Sequence, residues 1–217
     1  MAVDPRALGV YVITSADFTG RGHLDIALAA IEGGASAVQL RAPELPDEEL
    51  LPLATELASR CRAQGVLFLV NDRVRVAVVS GAGGAHVGHE DDPEGARERL
   101  GPGSVLGISV RDAEEARWAV KAGADYLGVT VWPTLTKPRA VASGLAGVRE
   151  VAAAVDVPVV GIGGIGPANA EDVLDAGAAG VAVISTVAAA PDPVAVVRSL
   201  RGIVDAYRTI EEARHRE

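Results

Sequence analysis

A helix end that contains glycine and is followed at once by a short apolar strand recurs four times along this chain. The copies are residues 32–38, 80–87, 122–128 and 176–181. Glycine ends a helix readily because it adopts the left-handed conformation without a steric penalty. Around these copies, strand and helix candidates alternate eight times within 217 residues. This alternation predicts a single α/β domain over residues 1–217 with the (β/α)8 barrel, or TIM-barrel, fold.

The predicted strands are short and mostly continuous apolar runs, as expected for a parallel sheet that is covered on both faces. They are residues 10–14, 37–40, 67–70, 84–87, 105–108, 126–129, 159–161 and 180–184. The clearest predicted helices are residues 24–31, 47–64, 112–122, 144–154, 168–176 and about 193–210, with 211–217 expected as a frayed charged tail. An open doubly wound sheet is the alternative, but residues 15–20 lack the dinucleotide-binding glycine pattern.

Charge and composition exclude several classes of partner. The net charge is −9 and aromatic residues make up 3% of the chain, so we expect no nucleic-acid partner. The single cysteine, Cys61, cannot form an internal disulfide and lies on the apolar face of a predicted helix. We see neither a charged leader nor an apolar run of membrane-spanning length, which predicts a cytoplasmic protein that does not bind membranes. Monomer and homo-oligomer both remain open.

Two strand ends in the last third of the chain have the character of a phosphate site. Residues 159–165 (VVGIGGI) and 180–185 (GVAVIS) each run from apolar residues into small ones. Glycine lets a backbone approach an anion closely, and a following helix adds partial positive charge. This position is the usual phosphate site of a parallel barrel. We therefore expect the chain to bind a phosphorylated small molecule.

Other predicted strand ends carry polar side chains where barrel enzymes have their active sites. Gln39 and Arg41 lie on one side of the second strand by alternation. Gln39 needs a partner in so apolar a run, and a ligand amide or ring nitrogen would provide one. Arg41 can hold a phosphate through its planar guanidinium, or it can be a surface residue. Ser109 can donate to a phosphate oxygen or cap the helix that begins near Asp112.

Asp72 and Asp91 follow the neighbouring third and fourth predicted strands. Two such carboxylates would form a Mg²⁺ site that keeps several waters and takes oxygens from a substrate diphosphate. Alternatively both cap the next helices, although Asp92, which precedes a proline, fits a cap better than Asp91. We expect His86 to be a hydrogen-bonded interior residue and His89 to lie at the barrel mouth.

The segment after the sixth strand is the longest predicted loop and extends to about residue 143. It contains Thr134, Thr136 and Lys137, whose hydroxyls and ammonium suit an anion, and its length suits a lid. A solvated loop is the alternative, but Trp132 favours contact with a ligand or the core.

Several short segments follow the order and spacing of one known family. They are VQLR (38–41), NDR (71–73), HVGHED (86–91), GIS (107–109), GADYLG (123–128), TLTK (134–137), GIGGI (161–165) and VIS (183–185). Through them the chain resembles the thiamine phosphate synthase family over nearly its whole length and, more distantly, the related thiazole tautomerases.

The resemblance implies a transferase reaction in which the nitrogen of a thiazole phosphate replaces the diphosphate of hydroxymethylpyrimidine diphosphate, giving thiamine phosphate. A dissociative reaction of this kind requires charge neutralisation and proximity more than acid–base groups. The resemblance also implies a Mg²⁺ ion bound by Asp72 and Asp91. The other implied site residues are Arg41, Asn71, Ser109 and Lys137 for the diphosphate (Arg41, Ser109 and Lys137 being the catalytic candidates), Gln39 for the pyrimidine, and Thr134, Thr136 and the backbone at Gly164, Ile184 and Ser185 for the thiazole phosphate.

Three features depart from the family pattern. Pro43 stands where the family has a lysine, His89 stands where it has a glutamine, and the loop before TLTK is one residue shorter, with Trp132 in place of a phenylalanine. These departures leave open a divergent chain that acts on another diphosphate or only binds a ligand. A thiazole tautomerase is disfavoured, because its proton-shuttling histidine follows the sixth strand and no histidine occurs between His89 and His215.

Overall fold

Eight parallel strands close into a barrel in a computed structural model that describes residues 4–88, 91–134 and 141–214. Each strand pairs with its neighbours in sequence, and β1 pairs with β8. The strands are β1 (Val10–Ile13), β2 (Ala37–Leu40), β3 (Leu67–Asn71), β4 (Gly84–Val87), β5 (Val105–Val110), β6 (Tyr126–Thr130), β7 (Val159–Ile162) and β8 (Gly180–Val183). The predicted (β/α)8 barrel is therefore confirmed.

Helices cover the outside of the barrel. They are α1 (His23–Glu32), α2 (Asp47–Ala63), α3 (Val74–Ser80), α4 (Pro93–Leu100), α5 (Ala113–Lys121), α6 (Gly144–Ala154), α7 (Ala170–Asp175), α8 (Ser185–Ala188) and α9 (Pro193–Arg214), and a 3-10 helix (Pro5–Leu8) precedes β1. The short helix α8 was not separately predicted. None of the helices within the described ranges is long and apolar enough to cross a membrane.

The buried residues form two layers, as alternation along strands with two covered faces requires. The larger layer lies between the sheet and the helices and is built almost entirely from alanine, valine, leucine and isoleucine. Cys61 is buried in it, as predicted, and burial raises the pKa of its thiol to about 11. The smaller layer fills the barrel interior and contains Tyr11, Leu69 and Tyr126.

The repeated glycine motif has its expected geometry. Gly34, Gly81, Gly123 and Gly177 follow α1, α3, α5 and α7, and all have positive φ, between 72° and 96°. The predicted frayed tail is wrong for residues 211–214, because α9 continues to Arg214. An Arg214–Glu211 ion pair of 2.6 Å lies one turn apart on this last stretch, and the helix is anchored by the buried Val197, Leu200 and Val204.

Candidate active site

A pocket opens at the carboxyl ends of the strands, and all eight strands contribute to its lining. Barrel closure thus gathers residues that are far apart in sequence. Among the lining residues that the structure describes, Arg41 has a permanent charge; hydroxyls, amides, glycines and apolar side chains make up most of the rest. The predicted site residues that line this pocket are Gln39, Arg41, Asn71, Ser109, Thr134, Gly164, Ile184 and Ser185.

A chain of hydrogen bonds crosses the barrel interior at the floor of the pocket. Gln39 Nε2 donates to the Tyr11 hydroxyl at 2.5 Å, and this hydroxyl lies 2.9 Å from that of Tyr126. The Tyr126 hydroxyl lies 2.8 Å from His86 Nδ1, and His86 Nε2 lies 2.9 Å from Ser109 Oγ. The expectation that His86 is a hydrogen-bonded interior residue is confirmed. Gln39 satisfies one N–H through Tyr11, and Ser109 is a strand residue bonded to His86 and not a helix cap.

Tyr11 and Tyr126, the two tyrosines in this series of hydrogen bonds, remain neutral hydroxyls. Burial raises the pKa of both phenols above the ordinary value, and for Tyr126 the neighbouring Tyr11 adds to the shift. Their rings meet edge to face, with centroids 6.1 Å apart. Gly107 makes room for the second ring, because a Cβ at this position would lie 2.1 Å from Tyr126 Cζ. A glycine at this interior position of β5 is therefore needed for the Tyr126 ring to occupy its place among these hydrogen bonds.

Arg41 lines the pocket without an ion pair. Its backbone N–H donates to Thr14 Oγ1 at 3.2 Å, which fixes the point at which β2 ends. Its guanidinium has neither a carboxylate nor a hydrogen-bond partner within the described part of the chain. An arginine in a pocket without a protein anion is suited to hold a ligand anion, since its fork matches phosphate geometry.

The loop that follows Arg41 is anchored on both sides. His23 bonds Thr14 Oγ1 at 2.9 Å through Nδ1 and the Glu44 carboxylate at 2.6 Å through Nε2. Burial is the largest single influence and would raise the pKa of Glu44, but the hydrogen bond and charge of His23 together with a backbone hydrogen bond lower that pKa overall. From the other side, Arg73 donates to Asp47 at 2.6 Å and to a main-chain carbonyl of the loop at 3.1 Å. Arg73 therefore supports the loop and does not line the pocket.

Asp72 and Asp91 are exposed carboxylates that follow the neighbouring strands β3 and β4. Asp72 adopts a left-handed φ of 58° and accepts from Asn71 Nδ2, and Asp91 accepts from the Gly88 N–H at 2.8 Å. Neither carboxylate caps a helix; Asp92 caps α4, as predicted, by accepting from the Gly95 N–H at 3.1 Å.

The chemistry of these two side chains suits Mg²⁺, although neither aspartate is among the residues that line the pocket. Magnesium binds through one or two carboxylates and completes its octahedron with phosphate oxygens and water. The described residues contain no group of three or more acidic, histidine or cysteine side chains that could form a complete metal cage. His89 and Glu90, which stand between the two aspartates in sequence, lie outside the described residues.

The opposite side of the pocket is a main-chain turn after β7. Gly163 and Gly164 both have positive φ, 95° and 67°, a conformation that side chains other than glycine rarely adopt. A Cβ at Gly163 would lie 2.6 Å from the carbonyl oxygen of Trp132. Asn169 Nδ2 holds the Gly164 carbonyl at 3.0 Å, and Thr186 Oγ1 donates to a neighbouring carbonyl at 2.6 Å, which ties the turn to the start of α8. These hydrogen bonds and the two positive-φ glycines fix the shape of this backbone turn.

The loop between β6 and α6 leaves and rejoins the barrel at one place. The N–H groups of Ser143 and Gly144 donate to the carbonyls of Thr130 and Val131 at 2.8 and 3.0 Å. Trp132 packs against the core, in agreement with the expectation that it is not simply solvated. Thr134 lines the pocket, whereas the predicted Thr136 and Lys137 lie outside the described residues.

Apart from His86, which was expected in the interior, four polar lining residues were missed from the sequence: Tyr11, Tyr126, Thr130 and Thr186. Tyr11 and Tyr126 stand in apolar strands, where a tyrosine is ordinarily a core residue, and Thr186 follows the predicted serine. A usable signal was present for the tyrosines. Gly107 and Ser109 alternate onto one side of β5, and an interior glycine indicates a large group from a neighbouring strand.

Comparisons with known proteins agree with this architecture. The sequence model of a family described as thiamine monophosphate synthase matches residues 10–187. The chain is 46% identical over 200 residues to a thiamine-phosphate synthase of Moorella thermoacetica, an alignment that covers 91% of this chain and 95% of the relative. It is also 46% identical over 198 residues to a thiamine-phosphate synthase of Chloroflexus aurantiacus, covering 90% and 92%.

A solved structure gives the same answer. A thiamine phosphate pyrophosphorylase from Pyrococcus furiosus superposes with a TM-score of 0.86 at 40% identity, over 94% of this chain and 98% of that one. The residues matched by the family model, 10–187, include all eight strands and all the described residues that line the pocket. The chain therefore belongs to the thiamine monophosphate synthase family, a family of transferases in thiamine biosynthesis.

Proposed function

We propose that this chain joins hydroxymethylpyrimidine diphosphate to a thiazole phosphate and releases diphosphate, with Mg²⁺ bound at the diphosphate. One observation carries the proposal. A single pocket is lined by Arg41 just after β2, Asn71 at the end of β3 and Ser109 in β5, and also by the Gly163–Gly164 turn after β7. A reaction that joins two phosphorylated molecules needs two anion sites in one cavity, and these two parts of the pocket would provide them.

The proposed reaction makes one bond and breaks one bond at the same carbon. The C–O bond between the pyrimidine methylene and the diphosphate breaks, and its electron pair leaves with the diphosphate. The lone pair of the thiazole nitrogen forms the new C–N bond. No proton leaves a reacting atom, so charge stabilisation and proximity are what the site must provide. The pocket suits this chemistry, since among the lining residues that the structure describes Arg41 carries a permanent positive charge and most of the other polar side chains are hydroxyls and amides.

Arg41, Asn71, Ser109 and Lys137 are the proposed ligands of the leaving diphosphate. Among the described residues the Arg41 guanidinium has no hydrogen-bond or ion-pair partner, so its fork would be available to two phosphate oxygens. Asn71 uses one amide N–H on Asp72 and keeps the second for the ligand. Lys137 would come from the β6–α6 loop, where its ammonium adds a second positive charge.

Asp72 and Asp91 would hold the magnesium ion. Asp72 accepts from Asn71 Nδ2 and Asp91 accepts from the Gly88 N–H, which orients the two carboxylates. An ionised carboxylate has about four lone-pair sites, so such a bond is compatible with a metal on the same group. When bound, Mg²⁺ neutralises charge on the leaving group. Because the protein offers two carboxylates and not a full cage, the substrate diphosphate would supply further oxygens.

The remaining pocket surface suits two flat heterocycles. Ile13, Val160, Ile162 and Ala182 provide apolar walls, and Gln39 would bind polar atoms of the pyrimidine. On the other side, Thr134, Thr136 and the backbone at Gly164, Ile184 and Ser185 would bind the phosphate of the thiazole. The fixed glycine turn would hold the nucleophile without side-chain charge.

The test is product formation by the purified protein with each precursor alone and with both together. We expect thiamine phosphate and diphosphate in a one-to-one ratio only when both precursors and Mg²⁺ are present, and loss of both products after chelation. A folded protein that binds the precursors in calorimetry but forms no product would contradict the proposal and favour a divergent, ligand-binding barrel.

A matched pair of variants tests the metal site. Asp91→Asn and Asp92→Asn each remove one negative charge from the same loop, and asparagine still caps α4 at position 92. Asp91→Asn should raise the Mg²⁺ concentration needed for half-maximal turnover, and Asp92→Asn should not. Equal behaviour of the two variants would contradict the role of Asp91 as a metal ligand.

A further inference from the structure

We propose that Tyr126 and His86 are positioning residues: they form a directional hydrogen-bond chain that holds His86 as its Nε2–H tautomer and makes the Ser109 hydroxyl a donor toward the substrate. The structural part of the proposal, the direction of the hydrogen bonds and the tautomer of His86, concerns the protein without substrate. The effect on turnover rests on the proposed function, so the two parts are tested separately below.

The direction of the chain follows from counting protons at its buried end. Gln39 Nε2 is a donor only, so the Tyr11 oxygen accepts from it. The other partner of the Tyr11 hydroxyl is the Tyr126 oxygen, 2.9 Å away, so the single Tyr11 proton goes there. Tyr126 must then direct its own proton to His86 Nδ1, 2.8 Å away.

The same count continues to the pocket surface. A neutral imidazole that accepts at Nδ1 carries its proton on Nε2, and this N–H donates to Ser109 Oγ at 2.9 Å. The Ser109 oxygen is already an acceptor, which leaves its own proton for a group in the pocket. In this arrangement Ser109 acts as a hydrogen-bond donor to an anion. Ser109 is not activated as a nucleophile, because His86 Nε2 already carries a proton and cannot accept the one on Ser109.

The reverse direction is a definite alternative. If the Gln39 amide presented its oxygen to Tyr11, donor and acceptor would be exchanged in every hydrogen bond from Tyr11 to Ser109. Ser109 would then donate to His86 Nε2 and would offer the pocket only lone pairs, which repel a diphosphate. The orientation of one buried amide, 1% exposed, therefore decides whether Ser109 attracts or repels an anion.

The surroundings keep the chain in place. Tyr11 and Tyr126 are almost fully buried, at 2% and 0% exposure, and burial keeps their protons on. The His86 ring lies 5.5 Å from that of Tyr126, centroid to centroid, and a Cβ at Gly128 would lie 3.2 Å from it. No buried side-chain nitrogen or oxygen of the described residues lacks a hydrogen-bond partner. Each buried member of the hydrogen-bond series therefore has at least one partner, and the donor at Gln39 sets the direction.

The structural part is tested by nuclear magnetic resonance of ¹⁵N-histidine-labelled protein without substrate. The chain has four histidines, and comparison with a His86→Asn variant assigns the signals of His86. We expect the Nε2–H tautomer at His86 in the unmodified protein and a mixture of tautomers in Tyr126→Phe, where Nδ1 has lost its donor. The Nδ1–H tautomer in the unmodified protein would overturn the proposal whether or not the protein turns over substrate.

The functional part is tested by comparing Tyr126→Phe with Tyr11→Phe. Both variants remove one buried hydroxyl, but in Tyr11→Phe the Tyr126 hydroxyl can still donate to His86. We expect kcat to fall about tenfold in Tyr126→Phe and less than about threefold in Tyr11→Phe, with KM for the diphosphate substrate changed less than kcat in both. Equal losses, or the larger loss in Tyr11→Phe, would contradict the direction. Absence of turnover in the unmodified protein would refute the proposed function and leave the tautomer result standing.

Discussion

Replacing Arg41 separates the chemistry of the pocket from the stability of the barrel. Its guanidinium lines the pocket and forms no ion pair or hydrogen bond within the described residues. If it holds a diphosphate with two parallel N–H···O bonds, Arg41→Ala removes two charge-assisted bonds, each worth about 1.5–3 kcal/mol. Water and Lys137 would replace part of this, so we expect a net loss of about 3 kcal/mol, or roughly two orders of magnitude in kcat/KM.

Stability should respond differently. Because Arg41→Ala breaks no side-chain bond within the described structure, the free energy of unfolding should change by less than about 0.5 kcal/mol. Arg41→Lys keeps the charge and loses the fork, and about a tenfold loss of kcat/KM is expected. Arg75, which is exposed on α3, is the matched control, and Arg75→Ala should leave both quantities unchanged.

The assay is steady-state formation of thiamine phosphate at saturating thiazole phosphate, with urea denaturation measured on the same preparations. Arg41→Ala with full kcat/KM would refute the assignment of the guanidinium to the leaving group. A large loss of stability in Arg41→Ala would show that the arginine supports the barrel and would refute the account of an unpaired cation.

Three further results are expected. Gly164→Ala should raise KM for the thiazole phosphate. Gly144 has nearly the same φ but open space around it, so Gly144→Ala should only lower the free energy of unfolding by about 1 kcal/mol through backbone strain. Steady-state kinetics and thermal melting of the two variants separate these effects. Arg97→Ala should destabilise by about 3 kcal/mol in urea and leave kcat unchanged, because Arg97 pairs with a partly buried carboxylate far from the pocket. The raised pKa values of Tyr11 and Tyr126 mean that the unfolded chain releases these protons first, so unfolding free energy should fall as pH rises above about 10; ultraviolet titration showing either phenolate in folded protein near that pH would contradict this.

The barrel was accessible from the sequence because its signals are local. An apolar strand or a helix end with glycine can each be recognised within a window of about ten residues. Every predicted strand is present, with its ends shifted by at most two residues. The candidate residues at strand ends were also accessible, since alternation and the barrel rule together place them at the mouth. Eight of them line one pocket, as their positions after strand ends predict.

The polar floor of the pocket was not accessible, because it depends on which residues barrel closure brings together. Tyr11 and Tyr126 are 115 residues apart, and neither departs from the apolar pattern of its strand. Only the registers that set Gly107 beside both His86 and Tyr126 show that an interior polar chain replaces ordinary packing. The role of Arg73 was hidden for a similar reason, since its partner Asp47 begins a helix on another strand–helix unit.

Simultaneous binding of two anions tests the central claim most directly. Titration calorimetry of Mg²⁺-diphosphate would be carried out with and without saturating thiazole phosphate. If Arg41 and the Gly163–Gly164 turn form separate sites in one pocket, diphosphate should bind with a stoichiometry of one in both cases and at least as tightly when the thiazole phosphate is present. Competition between the two ligands would mean that the pocket holds one anion at a time and would contradict the account.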